Sequence, residues 1–183
     1  MNIVWISGSP HPNGDSAAMA QRFFAGRECS VTRFDAYSGE VLPCIDCGLC
    51  SREARCSRQD GAGKLLHAIA EADGIVLSSP VYFSDLTGPL ISAASRMQYL
   101  WMRRRAGEIV LPEKKRFGVI LLSGGGSGKP DRALAAARTF LHQLGATVEA
   151  EVLSLATDKI PAAGDAVAMA QIDEAARRVF GGK

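Results

Sequence analysis

Apolar positions along the chain gather into five short runs, separated by longer stretches of mixed residues. The runs cover residues 3–7, 31–35, 74–79, 117–123 and 147–155. The first, third and fourth are near-continuous: Ile75, Val76 and Leu77 stand together, as do Val119, Ile120, Leu121 and Leu122. A strand with one wet face alternates apolar with polar residues, whereas a continuous run suits a parallel strand covered on both faces. A short continuous run can also be a piece of helix. Flanking Gly, Ser and Pro and the β-branched side chains favour strand here. Between the runs, residues 16–25, 63–72, 86–102, 132–144 and 166–180 are rich in Ala, Leu, Met, Arg and Gln, residues that lose little on entering a helix. Strand then helix, five times over, predicts a parallel sheet with helices on both faces. Two connections are irregular, 39–61 and 103–116. Loops this long in a small domain usually serve function.

The bulk properties narrow this picture. At 183 residues, residues 1–183 are expected to form a single domain, with 39–61 a cysteine-rich insertion. Hydrophobic residues make up 47% and charged residues 22%, as in soluble globular proteins. A net charge of +2 gives no argument for nucleic acid as a partner. No apolar run approaches the roughly 18 residues that cross a bilayer, so no membrane association is expected. The chain opens on strand-like residues with no basic and then apolar leader. A cytoplasmic location is the expectation, and thiols stay reduced there.

In an open parallel sheet, ligands sit beyond the carboxyl ends of the strands, where the strand order reverses. The loop after the first run reads GSPHPNGDS over 8–16. Small and hydroxyl residues at a strand-to-helix turn let backbone amides converge, and the helix N-terminus adds partial positive charge, so a phosphate suits it. Ser9 and Ser16 can donate hydroxyls; the plainer reading is a turn in which Asp15 or Ser16 caps the helix. The loop after the third run reads SSPVYFSDLTGP over 78–89. Tyr82 and Phe83 there could flank a flat ring, or pack on the core. The loop after the fourth run reads SGGGSGK over 123–129. It lacks the first Gly and the Ser or Thr after Lys of a P-loop. A glycine run here either lets backbone approach a ligand closely or is a flexible turn.

Four of five cysteines, Cys44, Cys47, Cys50 and Cys56, fall within thirteen residues, while Cys29 stands apart as a small core residue. Thiolates at this spacing can face one [4Fe–4S] cubane. Zinc also takes four thiolates, and thiols lining a loop with no metal are a third reading. A separate stretch, Arg103, Arg104, Arg105, Lys114, Lys115 and Arg116 against Glu108 and Glu113, carries excess positive charge. It reads either as a solvated helix end or as a surface for an acidic redox protein or the 2′-phosphate of NADPH.

Together, GSP through Ser16, the four cysteines, SPVYF over 79–83 and the glycines from Gly124 resemble the flavodoxin-like NAD(P)H-dependent FMN reductases. Within them the chain looks most like the iron–sulfur flavoproteins. The resemblance covers about residues 1–150. It implies a flavodoxin-like α/β fold, a doubly wound five-stranded parallel sheet in order 2-1-3-4-5. It implies FMN, with the phosphate near Ser9, His11, Asn13, Asp15, Ser16 and Ala17. The isoalloxazine would lie against Pro80, Val81, Tyr82, Phe83, Ser123, Gly124, Gly125 and Gly126. It also implies a [4Fe–4S] cluster on the four cysteines, and a homodimer or homotetramer. No side chain need act as acid or base, because the cofactor carries the chemistry. NAD(P)H or reduced ferredoxin would be the donor, and a small molecule or a protein the acceptor. An electron carrier and a redox sensor are the rival functions. Family members commonly have Arg at the place of His11, Asn at the place of Asp15, and an Asp-Arg pair where Ser95 and Arg96 stand. A carboxylate beside a phosphate dianion is unfavourable unless it turns away to cap the helix.

Overall fold

The computed structural model describes residues 1–126 and 129–181. In chain order the elements are β1 (Asn2–Ser7), α1 (Asp15–Phe24), β2 (Ser30–Asp35), α2 (Leu49–Arg52), α3 (Ala62–Glu71), β3 (Gly74–Pro80), α4 (Gly88–Ser95), α5 (Gln98–Arg105), β4 (Arg116–Ser123), α6 (Asp131–Gln143), β5 (Ala146–Ser154) and α7 (Ala166–Phe180). The strands form one all-parallel sheet in the order β2-β1-β3-β4-β5. The three near-continuous apolar runs are its three inner strands, which are wetted on neither face.

Strand periodicity divides the core into two layers. Ile3, Trp5, Val76, Val119 and Leu121 point to one side and pack with Met19 and Phe23 of α1 and Ile172 of α7. Val4, Ile6, Ile75, Leu77, Ile120 and Leu122 point to the other, where Leu65, Leu90, Leu100 and Leu141 cover them. Each fully buried Leu or Ile stabilises the fold by roughly 1.5–3 kcal/mol relative to exposure. The inner strands carry two buried glycines, Gly74 on β3 and Gly118 on β4. A Cβ on Gly74 would stand 2.1 Å from Cζ of Phe117, its partner in register on β4. Gly74→Ala is expected to destabilise the protein by about 1–3 kcal/mol through overpacking. Thermal unfolding should record a fall of roughly 2–10 °C; an unchanged melting temperature would mean that the Phe117 ring moves aside freely.

The expected single helix over 86–102 is two helices. Leu86 and Thr87 are held outside it: the Thr87 hydroxyl donates to the Gly8 carbonyl at 2.8 Å, and the Asp85 carboxylate accepts from the Leu86 amide. Helix α4 therefore starts at Gly88 with Pro89 in its first turn, a place where proline's missing N–H is harmless. The chain tightens again at Arg96 and Met97, whose amides donate to Ala93 and Ala94, three residues back. The break between α4 and α5 lies where Arg96 reaches into the cysteine loop.

Candidate functional site

The loops after β1, β3 and β4 leave the sheet at its carboxyl edge, and the ladder continues a residue or two beyond each strand. Gly8 N donates to Ser78 O at 2.7 Å, Val81 N to Ser123 O at 2.7 Å, and Gly124 N to Ser154 O at 2.8 Å. A Cβ at Gly8 would meet Leu90 Cδ2 at 2.6 Å and the Ser79 hydroxyl at 2.9 Å, so any other residue there would displace both side chains. In the first loop Ser9 is buried, its hydroxyl donating to the His11 carbonyl and accepting from the His11 amide. Ser16 is buried too and shares a 2.8 Å hydrogen bond with the hydroxyl of Ser123. His11 and Asn13 are exposed, and Ala17 is buried.

Two features suit this loop to an anion. The residue before α1 is Gly14, and no side chain caps the first-turn amides. The Asp15 carboxylate turns away, accepting from Ala162 N at 2.7 Å in the short 3-10 turn Ala162–Gly164. Asp15 and Ser16 are thus not the caps that the plainer sequence reading allowed. Arg33, which the sequence reading missed, lies over the Trp5 ring, its Nη2 3.4 Å from Ser7 Oγ and its Nη1 3.5 Å from the Pro12 carbonyl. Its signal was available, because β2 pairs β1 and carries Arg33 at its exposed edge.

The loop after β3 is a tight turn. Tyr82 and Asp85 exchange both backbone hydrogen bonds, and the two residues between them, Phe83 and Ser84, have φ of 53° and 64°. Positive φ at both central positions is the type I′ backbone that Asn-Gly ordinarily fills. For Phe and Ser it stores strain on the order of 1 kcal/mol each. Helix α6 holds the turn: Ala133 N donates to Ser84 O, and Arg132 pairs with Asp85 at 3.1 Å. The turn carries Phe83 out to 99% exposure and Tyr82 to 43%, so neither aromatic packs on the core. Pro80 and Val81 are half-buried, Gly124 is buried, and Gly125 and Gly126 are exposed. Gly125 presses on the Asp158 turn, where a Cβ would stand 2.9 Å from Asp158. Ser127 and Gly128 lie outside the described residues.

The four cysteines are free and line one small cavity of ≈ 40 Å³, together with Arg58, Arg96, Tyr99 and Met102. Left-handed backbone at Asp46 (φ 49°) and Gly48 (φ 68°) curls the chain between Cys44 and Cys50. Burial, and then the neighbouring thiolates, push the Cys50 thiol above its ordinary pKa. A hydrogen bond from Ser57 draws exposed Cys47 below its own. Among the described residues no group of three or more His, Cys, Asp or Glu side chains is arranged to hold a metal ion. The donor set is four soft sulfurs facing one cavity with two arginines in its wall, which suits a polynuclear anionic group. None of the residues expected around FMN is in that wall.

Helices α4 and α5 clamp the cysteine loop. The Ser95 hydroxyl accepts from Cys44 N at 2.9 Å, and the Tyr99 hydroxyl donates to Ala54 O. Arg96 donates to Leu42 O at 2.9 Å and to Cys56 Sγ at 3.3 Å, and pairs with Asp60. Burial would raise the Asp60 carboxyl, but hydrogen bonds from Arg96, Ala62 N and Leu42 N hold it below the usual range. Arg103 donates to Cys50 O at 3.1 Å and pairs with Glu108. The sequence reading missed this clamp. Leu90, Ala93, Arg96, Leu100 and Arg103 recur every three or four residues, so both arginines fall on the buried stripe.

The basic stretch is divided: Arg104, Arg105, Lys114 and Lys115 are exposed, and the other two cations are not. Arg103 and Arg116 are buried. Arg116 donates to the carbonyls of Ile69 and Ala70 at the end of α3, and Arg104 to the Gln143 carbonyl at the end of α6. These cations cap helix C-termini, where they are favoured. Lys114 pairs with Asp73 at 2.7 Å, and Arg105 stacks on Trp101.

The sheet order and its loop-bearing carboxyl edge define a flavodoxin-like fold. Solved structures that share it include an azoreductase from Bacillus anthracis str. Sterne, at TM-score 0.64 and 18% identity, covering 98% of each chain. An FMN-dependent NADH-azoreductase from Bacillus anthracis str. Ames Ancestor in complex with FMN matches at TM-score 0.65 and 14% identity, covering 97% of this chain and 99% of the other. Residues 1–159 match the family model described as NADPH-dependent FMN reductase, and the chain belongs to that oxidoreductase family. Its curated relatives include an iron-sulfur flavoprotein of Methanocaldococcus jannaschii, 32% identical over 64% of this chain and 65% of the relative. An iron-sulfur flavoprotein of Methanosarcina thermophila is 26% identical over 98% of this chain and 93% of the relative. The match thus spans just under two thirds of the Methanocaldococcus relative, and 58% of an iron-sulfur flavoprotein of Archaeoglobus fulgidus. Among the described residues no helix is long and apolar enough to cross a membrane.

Proposed function

We propose that this chain is an FMN-dependent oxidoreductase whose cysteine loop holds a [4Fe–4S] cluster. Residues 1–183 act as one FMN-binding domain, with 39–61 as its cluster-bearing insertion. The observation that carries the FMN reading is the open first turn of α1 beneath the β1 loop, with the Asp15 carboxylate directed away to Ala162. First-turn amides, Ser9, Ser16, Ala17 and the exposed His11 and Asn13 would hold the phosphate. Pro80, Val81, Tyr82 and Phe83, with Ser123, Gly124, Gly125 and Gly126, would border the ring. The openness of Tyr82, Phe83, Gly125 and Gly126 to solvent is compatible with a second subunit completing the site in a homodimer or homotetramer. Cys44, Cys47, Cys50 and Cys56 would ligate the cluster. Bound FMN supplies conversion between two-electron and one-electron transfer; the side chains bind and orient it, and none is needed as acid or base.

NAD(P)H is the proposed donor, in keeping with the family, and the acceptor is a small molecule or a protein. Cytoplasmic function suits the reduced thiols. Steady-state oxidation of NADPH and NADH by anaerobically prepared protein, with a flavin or a quinone as acceptor, tests the reductase reading. Turnover with either nucleotide is expected. No oxidation of either, together with stoichiometric reduction by reduced ferredoxin, would replace the reductase with an electron carrier.

A further inference from the structure

Among the described residues three charged side chains, Arg96, Arg103 and Arg116, are buried, and the first of them lies against the cysteines. Arg96 is 4% exposed, and each of its terminal nitrogens has a task. Nη1 donates to Leu42 O at 2.9 Å and pairs with Asp60; Nη2 donates to Cys56 Sγ at 3.3 Å and lies 3.5 Å from Arg58 O. Asp60 does not swing freely either, because it accepts from Leu42 N at 3.1 Å and from Ala62 N at 3.0 Å at the start of α3. A guanidinium fixed by a carboxylate on one side has little rotational freedom left on the other. Its second N–H is aimed at a ligand sulfur by the frame rather than by the metal.

We propose that Arg96 is a positioning residue that raises the reduction potential of the group held by the four cysteines, acting through its hydrogen bond to the Cys56 sulfur. This rests on the reading of that group as a cluster. One-electron reduction makes and breaks no bond to the protein and leaves one more negative charge on iron and sulfur. An N–H aimed at a thiolate, and a buried positive charge behind it, stabilise the reduced form more than the oxidised one, because potentials follow net charge and hydrogen bonding at the sulfurs. Asp60 offsets part of the charge but none of the direction. Arg103 does a different task in the same wall, since its Nη1 meets the Cys50 carbonyl and not a sulfur. The break between α4 and α5 belongs to the same device, for it lies where this side chain enters the loop.

The test is an EPR-monitored reductive titration with dithionite, made anaerobically on wild type, Arg96→Lys and Arg96→Gln at equal iron content. Arg96→Gln is expected to shift the one-electron equilibrium at least tenfold toward the oxidised cluster, 59 mV to more negative potential. Arg96→Lys, which keeps the charge but not the fork, should fall between the two. The FMN potential should stay at its wild-type value in both. Iron-loaded Arg96→Gln with a wild-type cluster potential would overturn the role of Arg96 and leave the cluster reading intact; iron-free wild type would overturn the cluster reading itself. Should the variants fail to fold or load iron, wild type grown with ¹⁵N-arginine decides. Pulsed EPR of the reduced cluster is expected to show a ¹⁵N coupling, and its absence would overturn the proposal.

Discussion

Cys47→Ser is expected to lower the iron and sulfide of anaerobically purified protein from about four of each per chain to below one, while FMN binding stays intact. Cys47 is the exposed member of the set, and its sulfur's partner is the Ser57 hydroxyl at 3.0 Å. A serine there removes one soft ligand without opening a hole in the core. With three thiolates left, an exposed cubane loses iron to solvent. The separation of the two sites makes the outcome specific: no residue expected around FMN lines the cysteine cavity, so flavin content should not follow the iron. Retention of full iron in this variant would remove Cys47 from the ligand set. Joint loss of iron and flavin would mean that the loop supports the flavin site directly.

The second large effect is at the phosphate loop. Gly14→Asp is expected to weaken FMN binding by about 2–4 kcal/mol, roughly 30- to 700-fold, without destabilising the apoprotein. Gly14 has extended backbone, φ −80° and ψ −172°, which any residue adopts, and Asp is a favoured residue just before a helix. Its carboxylate would take the free first-turn amides of α1 and set a negative charge where the phosphate belongs. The new Cβ would approach His11 Cβ to 3.0 Å, so the exposed loop backbone at His11 has to shift by a few tenths of an ångström. Equilibrium titration with FMN and thermal unfolding of the apoprotein measure both halves. Unchanged affinity would move the phosphate away from this helix, and a large fall in stability would make the variant uninformative about charge and require Ser9→Glu in its place.

How far the fold was legible depended on which residues specify it locally. The inner strands announced themselves, since a strand covered on both faces needs apolar residues at every position, and β1, β3 and β4 have them. Edge strands β2 and β5 are weaker signals, with one or both faces wet. The break between α4 and α5 was not legible. Residues 86–102 hold no Pro or Gly at the point of the break, which lies where Cys56, Asp60 and Leu42, distant in sequence, take Arg96. The turn at Phe83 and Ser84 was hidden for the opposite reason, because those residue types oppose the backbone they adopt and α6 holds them to it.

The candidate site shows the same division. Cysteine spacing singled out four thiols that line one cavity, and loop chemistry after β1 singled out a turn whose helix has no side-chain cap, because both are written within about a dozen residues. Charge was misread at two of the six cations in 103–116. Six cations in a short stretch look like a surface, yet Arg103 and Arg116 are buried and spent on backbone carbonyls. What sequence reasoning lacked was position on the helix. Set on the stripe of Leu90, Ala93 and Leu100, Arg96 and Arg103 have to be inside, and a buried arginine needs acceptors. The expectation for Asp15 was closer. The carboxylate does turn away from the loop, but it accepts from Ala162, 147 residues distant, and does not cap its own helix.

One determination bears most directly on the account: FMN, iron, sulfide and zinc measured on the same sample of protein purified without oxygen. The account predicts one FMN and about four iron and four sulfide per chain, with no stoichiometric zinc. Zinc at one per chain, or FMN with no metal at all in anaerobic protein, would contradict the cluster and leave an FMN reductase with an empty or zinc-bound cysteine loop.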